Sequence, residues 1–264
     1  MRAALILILL FSAAVIFNNP GLGAEGASAK IDFGQGISVP VFEGAKDLWG
    51  GPQPAEINGI PIKVALFETS SSPADVLAFY KTRLTEQGWR YLLDVSWLRL
   101  MYFCDDQGKN HLYIVGSNLF ETEDTPATRF EIVLAPQSLH MCVSFGPDFQ
   151  EETAGKDLAF IPRYPGAVRV ATITRGEKQG FFAYISRDSI RGIADFYYTN
   201  LPKYGWHVDK RDIGLNRLFA WQGTSYILRF SRGRKDSLGI SVNFCPDNKV
   251  SVILVSYNNV FTGS

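Results

Sequence analysis

The stretch FYYTNLPKYGW, Phe196 to Trp206, repeats FYKTRLTEQGW, Phe79 to Trp89, at a constant offset of 117, with six of eleven positions identical. Any fold built on this chain has to accommodate one local structure twice. Upstream, VPVFEGA (Val39 to Ala45) matches IPRYPGA (Ile161 to Ala167) at an offset of 122, which places about five extra residues in the first copy, in GGPQPAEING. Downstream, RLMYF from Arg99 echoes RLFAW from Arg217.

Helical spacing accounts for most of the repeated motif. Val76, Phe79, Tyr80 and Leu84, and then Ile193, Phe196, Tyr197 and Leu201, fall at i, i+3, i+4 and i+8, one apolar stripe per helix that must face a sheet. Ser72 is placed to cap the first helix, Pro73 to begin it and Asp75 to support its first turn; Asp188 or Ser189 caps the second. Gly88 and Gly205 fall where a helix C-terminus wants a left-handed residue, and Pro202 ends or tightens the second helix early. Trp89 and Trp206 then open the next strand, each expected to cover the end of a core while its N–H bonds a loop carbonyl. The hinge residues are thus Phe79, Tyr80, Leu84, Gly88, Trp89, Phe196, Tyr197, Leu201, Gly205 and Trp206. A sharper reading makes Tyr80, Trp89, Tyr197 and Trp206 an aromatic ligand platform.

After each hinge come short apolar or alternating runs parted by hairpin chemistry such as DDQGKN, SRGRKDS and PDNK. The expected fold class is α+β: two tandem modules, each an antiparallel sheet with one main helix packed on one face. Residues 30–155 form the first module and 156–264 the second, joined by the polar linker GPDFQEETAGKD.

A helix carrying FY, Leu and GW into a meander, preceded by a Pro-x-aromatic-x-GA turn, resembles a module of exported bacterial proteins of unknown function. It is similar to helix-grip modules, including the tandem ones of a lipoprotein in the outer-membrane protein assembly machinery. That resemblance covers both halves and implies a helix-grip-like fold, with an apolar ligand held between helix and sheet as one possible use. The chain departs from the lipoprotein in having no Cys to take a lipid.

One Arg followed by an apolar run from Ala3 to Phe17 and then NNPGLGAEGASA is the layout of a secretory signal, with cleavage expected after Ala24 or Ala29. The apolar run is shorter than the ~20 residues of a spanning helix. Residues 1–29 therefore read as a signal peptide and the chain as exported, periplasmic or extracellular, touching the membrane only through that segment if it is not cut. In an oxidising compartment, Cys104 and Cys142 are candidates for a disulfide that leaves Cys245 alone; equally, all three read as small buried hydrophobes.

A net charge of zero hides an asymmetry. Residues 30–155 carry 9 Lys/Arg against 17 Asp/Glu, and residues 156–264 carry 16 against 8. The basic half can meet an anionic surface, or the two surfaces are simply solvated. RFSRGRKDS gathers Arg229, Arg232, Arg234 and Lys235 at a strand end and hairpin tip, with Lys210 and Arg211 extending the patch if their strand pairs alongside. Arginines there suit phosphate groups, or merely block edge-to-edge sheet pairing.

Chemistry is sparse. His111, His140 and His207 have no counterparts across the repeat, and neither an H-E-x-x-H, a G-x-S-x-G, a phosphate loop nor a C-x-x-C occurs. The carboxylates Asp105, Asp106, Glu121, Glu123, Asp124, Glu151 and Glu152 read as loop acidity. No catalytic residue, metal or cofactor is expected. The reading is a non-enzymatic binding or assembly component of the bacterial envelope, its partner a protein or an anionic envelope component and not nucleic acid. A carrier of an apolar molecule, or an enzyme with an unrecognised site, are the alternatives.

Overall fold

The computed structural model describes residues 30–47, 51–95, 99–117, 128–137, 139, 152–176, 179–215, 224–233, 236–245 and 249–258. The strands are β1 (Lys30–Gly34), β2 (Ile37–Pro40), β3 (Lys46–Asp47), β4 (Gln53–Ile57), β5 (Ile60–Thr69), β6 (Arg90–Val95), β7 (Leu100–Cys104), β8 (His111–Ser117) and β9 (Thr128–Ala135). They continue as β10 (Val168–Arg175), β11 (Gln179–Ser186), β12 (His207–Leu215), β13 (Thr224–Arg232), β14 (Asp236–Cys245) and β15 (Val250–Asn258). Helix α1 (Pro73–Glu86) lies between β5 and β6, and α2 (Ile190–Asn200) between β11 and β12, followed by a 3-10 turn at Leu201–Tyr204.

This overturns the expected α+β class of two helix-on-sheet modules with helix-grip character. The described residues are mostly strand with two α-helices, and the strands do not close into two sheets. A single order, β12-β13-β14-β15-β11-β10-β4-β5-β9-β8-β7-β6, takes in twelve strands, with β3 pairing β5 off that path and β1-β2 separate. Every pair whose register is described is antiparallel. The physical reason is β4. Its residues sit in GGPQPAEING, where the repeat placed the extra residues of the first copy, and period-2 alternation says which face a strand buries without saying which backbone it will find.

By internal contacts the chain separates into two compact units, Ile57–Gly59 joining the one that holds residues 142–264, and 60–141 forming most of the other. Within the former, the Asn58 amide donates to Thr172 O at 2.9 Å and the Thr172 amide donates to Asn58 Oδ1 at 2.8 Å. The described end of the segment expected as a polar linker, from residue 152, is also hydrogen-bonded there. The Thr153 amide donates to Arg169 O at 2.9 Å, and Thr153 Oγ1 donates to Val170 O at 3.0 Å.

Each helix does what its stripe requires. Ser72 Oγ accepts from the Asp75 amide at 3.2 Å and Ser189 Oγ from the Gly192 amide at 3.1 Å, so one orphan donor is satisfied at each start. Val76, Tyr80 and Leu84 are fully buried against Phe67, Phe103, Ile114, Phe130 and Ile132. Ile193, Tyr197 and Leu201 are buried in the same way against Phe182, Leu228, Ile240, Val255 and Tyr257. Phe33 and Val39, from the β1-β2 hairpin, join the α1 core, and Lys63 Nζ donates to Phe33 O.

The other face of these strands is buried too, at Leu66, Val115 and Val133 in the strands that carry α1 and at Phe181, Ala183 and Ile185 in β11, which is buried at all eight positions. On that face, between Leu66 and Val115 in register, lies Glu131. Its Oε1 has no hydrogen-bond partner, and burial pushes its carboxyl up to about 8 against the opposing pull of Arg129. Arg129 itself donates through Nε and Nη2 to Glu68 Oε1, at 3.1 and 2.6 Å.

Across the interval from the ordinary carboxylate value of about 4.3 up to about 8, the folded chain keeps this proton while the unfolded chain has lost it. Stability therefore falls as pH rises through that window and levels off above it. Glu131→Gln removes this contribution, so the variant gains stability over the wild type at pH 8 and the gain shrinks toward pH 5. Urea denaturation at pH 5 and pH 8 checks this; parallel pH dependence in the two proteins would contradict it.

Candidate functional site

The repeated motif folds into a repeated corner. After α1, Gly88 takes φ +87° and the Trp89 amide donates back to Leu84 O at 3.0 Å, while the Gly88 amide donates to Thr85 O at 3.0 Å. After α2, Gly205 takes φ +82°, the Trp206 amide donates to Leu201 O at 3.3 Å and the Gly205 amide to Pro202 O at 3.1 Å. Both are the six-to-one and five-to-two closures of a Schellman turn, which only a left-handed residue permits without strain. Pro202 has shortened the second helix into the 3-10 turn without disturbing this ending.

The upstream repeat supplies the third side of the corner. The Ala45 amide donates to Phe42 O at 3.0 Å and the Ala167 amide to Tyr164 O at 3.1 Å, closing turns with left-handed Gly44 and Gly166 in third position. Those turns aim an aromatic ring at each helix. Phe42 meets Phe79 edge-on at 5.2 Å, and Tyr164 meets Phe196 edge-on at 5.1 Å. Phe79 and Phe196 in turn stand edge-on to Tyr80 and Tyr197, at 5.1 and 5.2 Å. Burial raises both tyrosine hydroxyls well above their ordinary range; the neighbouring Phe42 and Tyr164 backbones offset part of that rise without reaching hydrogen-bond geometry. Tyr80 and Tyr197 are therefore core, which removes them from the aromatic platform that the sequence suggested.

The two corners differ in what covers the indole. Trp206 Nε1–H donates to Phe160 O at 2.9 Å, and the Arg232 guanidinium lies 4.7 Å from the Trp206 ring centre and 5.0 Å from that of Phe160. Arg232 Nε and Nη2 both donate to Asp236 Oδ2, at 3.1 and 3.0 Å, and Asp236 is only 4% exposed. A Cβ placed on Gly205 would stand 3.7 Å from Arg232 Cδ. At the other corner the residue 122 positions before Phe160 is Ser38, and a Cβ placed on Gly88 would stand 3.7 Å from Asp106 Oδ2. A cleft of about 550 Å³ opens there, lined by Lys30, Ser38, Gly88, Trp89, Asp105 and Asp106 among others.

The hairpin DDQGKN that borders this cleft is held rigidly. Asp105 Oδ2 accepts from Asn110 Nδ2 at 2.6 Å and Oδ1 from the Lys109 amide at 2.8 Å, and the Asp105 amide donates to Asn110 O at 3.0 Å. Desolvation pushes the Asp105 carboxyl up, but these donors together hold it below its usual value, so it is charged at neutral pH. Arg90, at the start of β6, donates to Cys104 Sγ at 3.4 Å; that contact comes first among the causes that raise its pKa, with Asp105 and Asp106 adding to it.

Of the basic residues singled out in sequence, Arg229 is exposed on β13, where its register partner on β12 is Lys210; Arg211 pairs with Leu228. The side chains of Lys210 and Arg211, and all of Arg234 and Lys235, lie outside the described residues. Arg232 does not project as an anion-binding tip, being stacked on Trp206 and bonded to Asp236. Arg163 and Arg169, which sequence reading passed over, are likewise engaged. Arg163 pairs with Glu152 at 2.9 Å and with Asp157 at 3.2 Å, and Arg169 with the same two carboxylates at 2.7 and 2.9 Å. The Arg163 hydrogen bond, ahead of an opposing desolvation, holds Glu152 below its usual value.

Cys104 is a buried thiol outside any disulfide and Cys245 is buried, as the reading of small buried hydrophobes has it; Cys142, the other half of the candidate bridge, lies outside the described residues. Spacing in sequence cannot place two Cβ atoms within bridging distance. His111 is buried with Nδ1 2.6 Å from Tyr102 Oη, His207 is exposed at the start of β12, and His140 lies outside the described residues. No group of His, Cys, Asp and Glu able to hold a metal occurs among the described residues. No helix among them is long and apolar enough to cross a membrane.

No family model and no curated protein matches the chain. Among solved structures, the immunity protein TplEi of the T6SS from Pseudomonas aeruginosa, complexed with "L" peptide, is similar over 90% of this chain and 90% of its own, at 11% identity and a TM-score of 0.25. Similarity at that TM-score carries no argument about fold or activity.

Removing the Arg232 side chain strips the indole of its cover and leaves a buried carboxylate unpaired. Arg232→Ala is expected to cost about 3 kcal/mol, whereas Asp106→Ala, at the matching point of the open corner, costs under about 0.5 kcal/mol. Urea denaturation of the two variants decides; equal losses would contradict the asymmetry of the corners.

Proposed function

We propose that this chain is an exported, non-enzymatic binding component of the bacterial envelope and that the open corner at Trp89 is where it holds a partner. The observation that carries this reading is the unequal pair of corners. The chain builds one corner twice, closes it at Trp206 with its own Phe160 and Arg232, and leaves it open at Trp89 as a cleft of about 550 Å³. That volume lies within the ordinary range of ligand sites. Export rests on the composition of residues 1–29.

Two other readings are less well supported. A carrier would keep space between helix and sheet, but Val76, Tyr80, Leu84, Ile193, Tyr197 and Leu201 have no exposed surface and lie against the strands. Capture of an anionic surface by the hairpin tip after β13 loses Arg232 to Asp236.

Ser38→Phe places at the open corner the residue type that Phe160 supplies at the closed one. Cross-linked capture from envelope extract, by wild type, Ser38→Phe and Arg229→Glu, tests the assignment, with circular dichroism establishing that each variant is folded. Capture is expected to be lost with Ser38→Phe and retained with Arg229→Glu. The reverse pattern would remove the cleft as the binding site and restore the basic strand.

A further inference from the structure

This inference rests on the reading of the Trp89 corner as a binding site and names the chemistry that the site takes. We propose that the cleft accepts the guanidinium group of an arginine in an extended segment of a partner protein. The chain carries the template for that contact. At the closed corner a guanidinium lies 4.7 Å from the Trp206 ring centre and gives two hydrogen bonds to the carboxylate of Asp236. At the open corner the left-handed glycine, the indole and a hairpin bearing carboxylates recur, and no cation stacks on Trp89 among the described residues.

The charge at the matching position is inverted. Asp106 Oδ2 comes as near to the Cβ direction of Gly88 as Arg232 Cδ comes to that of Gly205, 3.7 Å in both cases. Trp89 is 8% exposed, against 1% for Trp206, and a cation delivered from outside would meet it together with two carboxylates, Asp105 and Asp106, that line the same cleft. Gln87 and Gly88 also line the cleft, so the C-terminal end of α1 presents its partial negative charge there.

Two resident cations compete. Lys30 lines the cleft, and Arg90 interacts with both carboxylates while donating to Cys104. Arg90 is exposed, so solvent weakens its hold on the pair. A lysine could replace that charge, but only a planar guanidinium both stacks on an indole and forks onto a carboxylate. The cleft opens to solvent and is larger than one side chain, which favours an arginine flanked by peptide over free arginine.

The test is an NMR titration of the full chain with a capped Gly-Arg-Gly peptide, following the indole N–H signals of Trp89 and Trp206, assigned with Trp→Phe variants. Parallel titrations use Gly-Lys-Gly, Gly-citrulline-Gly and free arginine. The arginine peptide is expected to shift Trp89 and not Trp206, with a dissociation constant in the millimolar range. The lysine peptide and free arginine bind at least about threefold more weakly, and the citrulline peptide does not bind. Asp106→Asn weakens the arginine peptide about tenfold and Lys30→Ala strengthens it about threefold. Because Asp106 is exposed and Asp105 pins the hairpin, the Asp106 variant keeps the fold.

Equal binding of the arginine and citrulline peptides, or an unmoved Trp89 signal, overturns the proposal. If Trp89 stays unmoved while Ser38→Phe still abolishes partner capture, the guanidinium assignment falls and the binding site stands. If the arginine peptide binds but Ser38→Phe leaves capture intact, the guanidinium chemistry stands and the partner-binding reading falls.

Discussion

A helix that turns directly into a strand must reverse the chain within one left-handed residue, and the large side chain that follows has to be covered from the far side. Gly88 and Gly205 meet the first demand with φ near +85°, between their individual values of +87° and +82°. Trp89 and Trp206 create the second. The turn at Phe42 or Tyr164 meets the helix before each corner, and Arg232, at the end of β13, covers Trp206. The edge-on aromatic contacts at 5.2 and 5.1 Å locate each turn against its helix, and such pairs add about 1 kcal/mol beyond the area they bury.

The asymmetry in charge takes on a local meaning in this frame. In the second half, Arg163, Arg169 and Arg232 pair with Glu152, Asp157 and Asp236, so three of its 16 Lys and Arg side chains are held in ion pairs. Arg169 is nearly buried, with 6% of its side chain exposed, and two carboxylates facing it offset the cost of desolvating a guanidinium. In the first half, Asp105 and Asp106 remain at the edge of a cleft. One corner bonds its buried carboxylate to its own guanidinium; at the other, Arg90 lies near the two carboxylates and Lys30 lines the same cleft.

The sequence made the helices and the corners legible because they obey local rules: a stripe of spacing 3.6, a serine before it, a glycine and an indole after it. The N–H of Trp206 even finds the loop carbonyl that its position called for, at Phe160. What stayed hidden was long-range. Strand β4, Gln-Pro-Ala-Glu-Ile, falls where the repeat placed the extra residues of the first copy, yet it supplies backbone that the sheet order needs. The two ion-paired arginines are separated by a turn and find carboxylates from a segment read as linker. Arg232 looked like an exposed tip because nothing in its neighbourhood announced the indole 26 residues earlier. The cleft was illegible for a related reason: Ser38 signals an open corner only when set beside Phe160 in its folded place.

The most direct measurement of the account compares the two indoles in one protein. With fluorotryptophan incorporated throughout and the resonances of Trp89 and Trp206 assigned, a soluble cationic nitroxide reports by line broadening which indole a cation can approach. Stronger broadening is expected at Trp89, which lines the cleft with Asp105 and Asp106, than at Trp206 beneath its guanidinium. Equal broadening, or the opposite order, would contradict it.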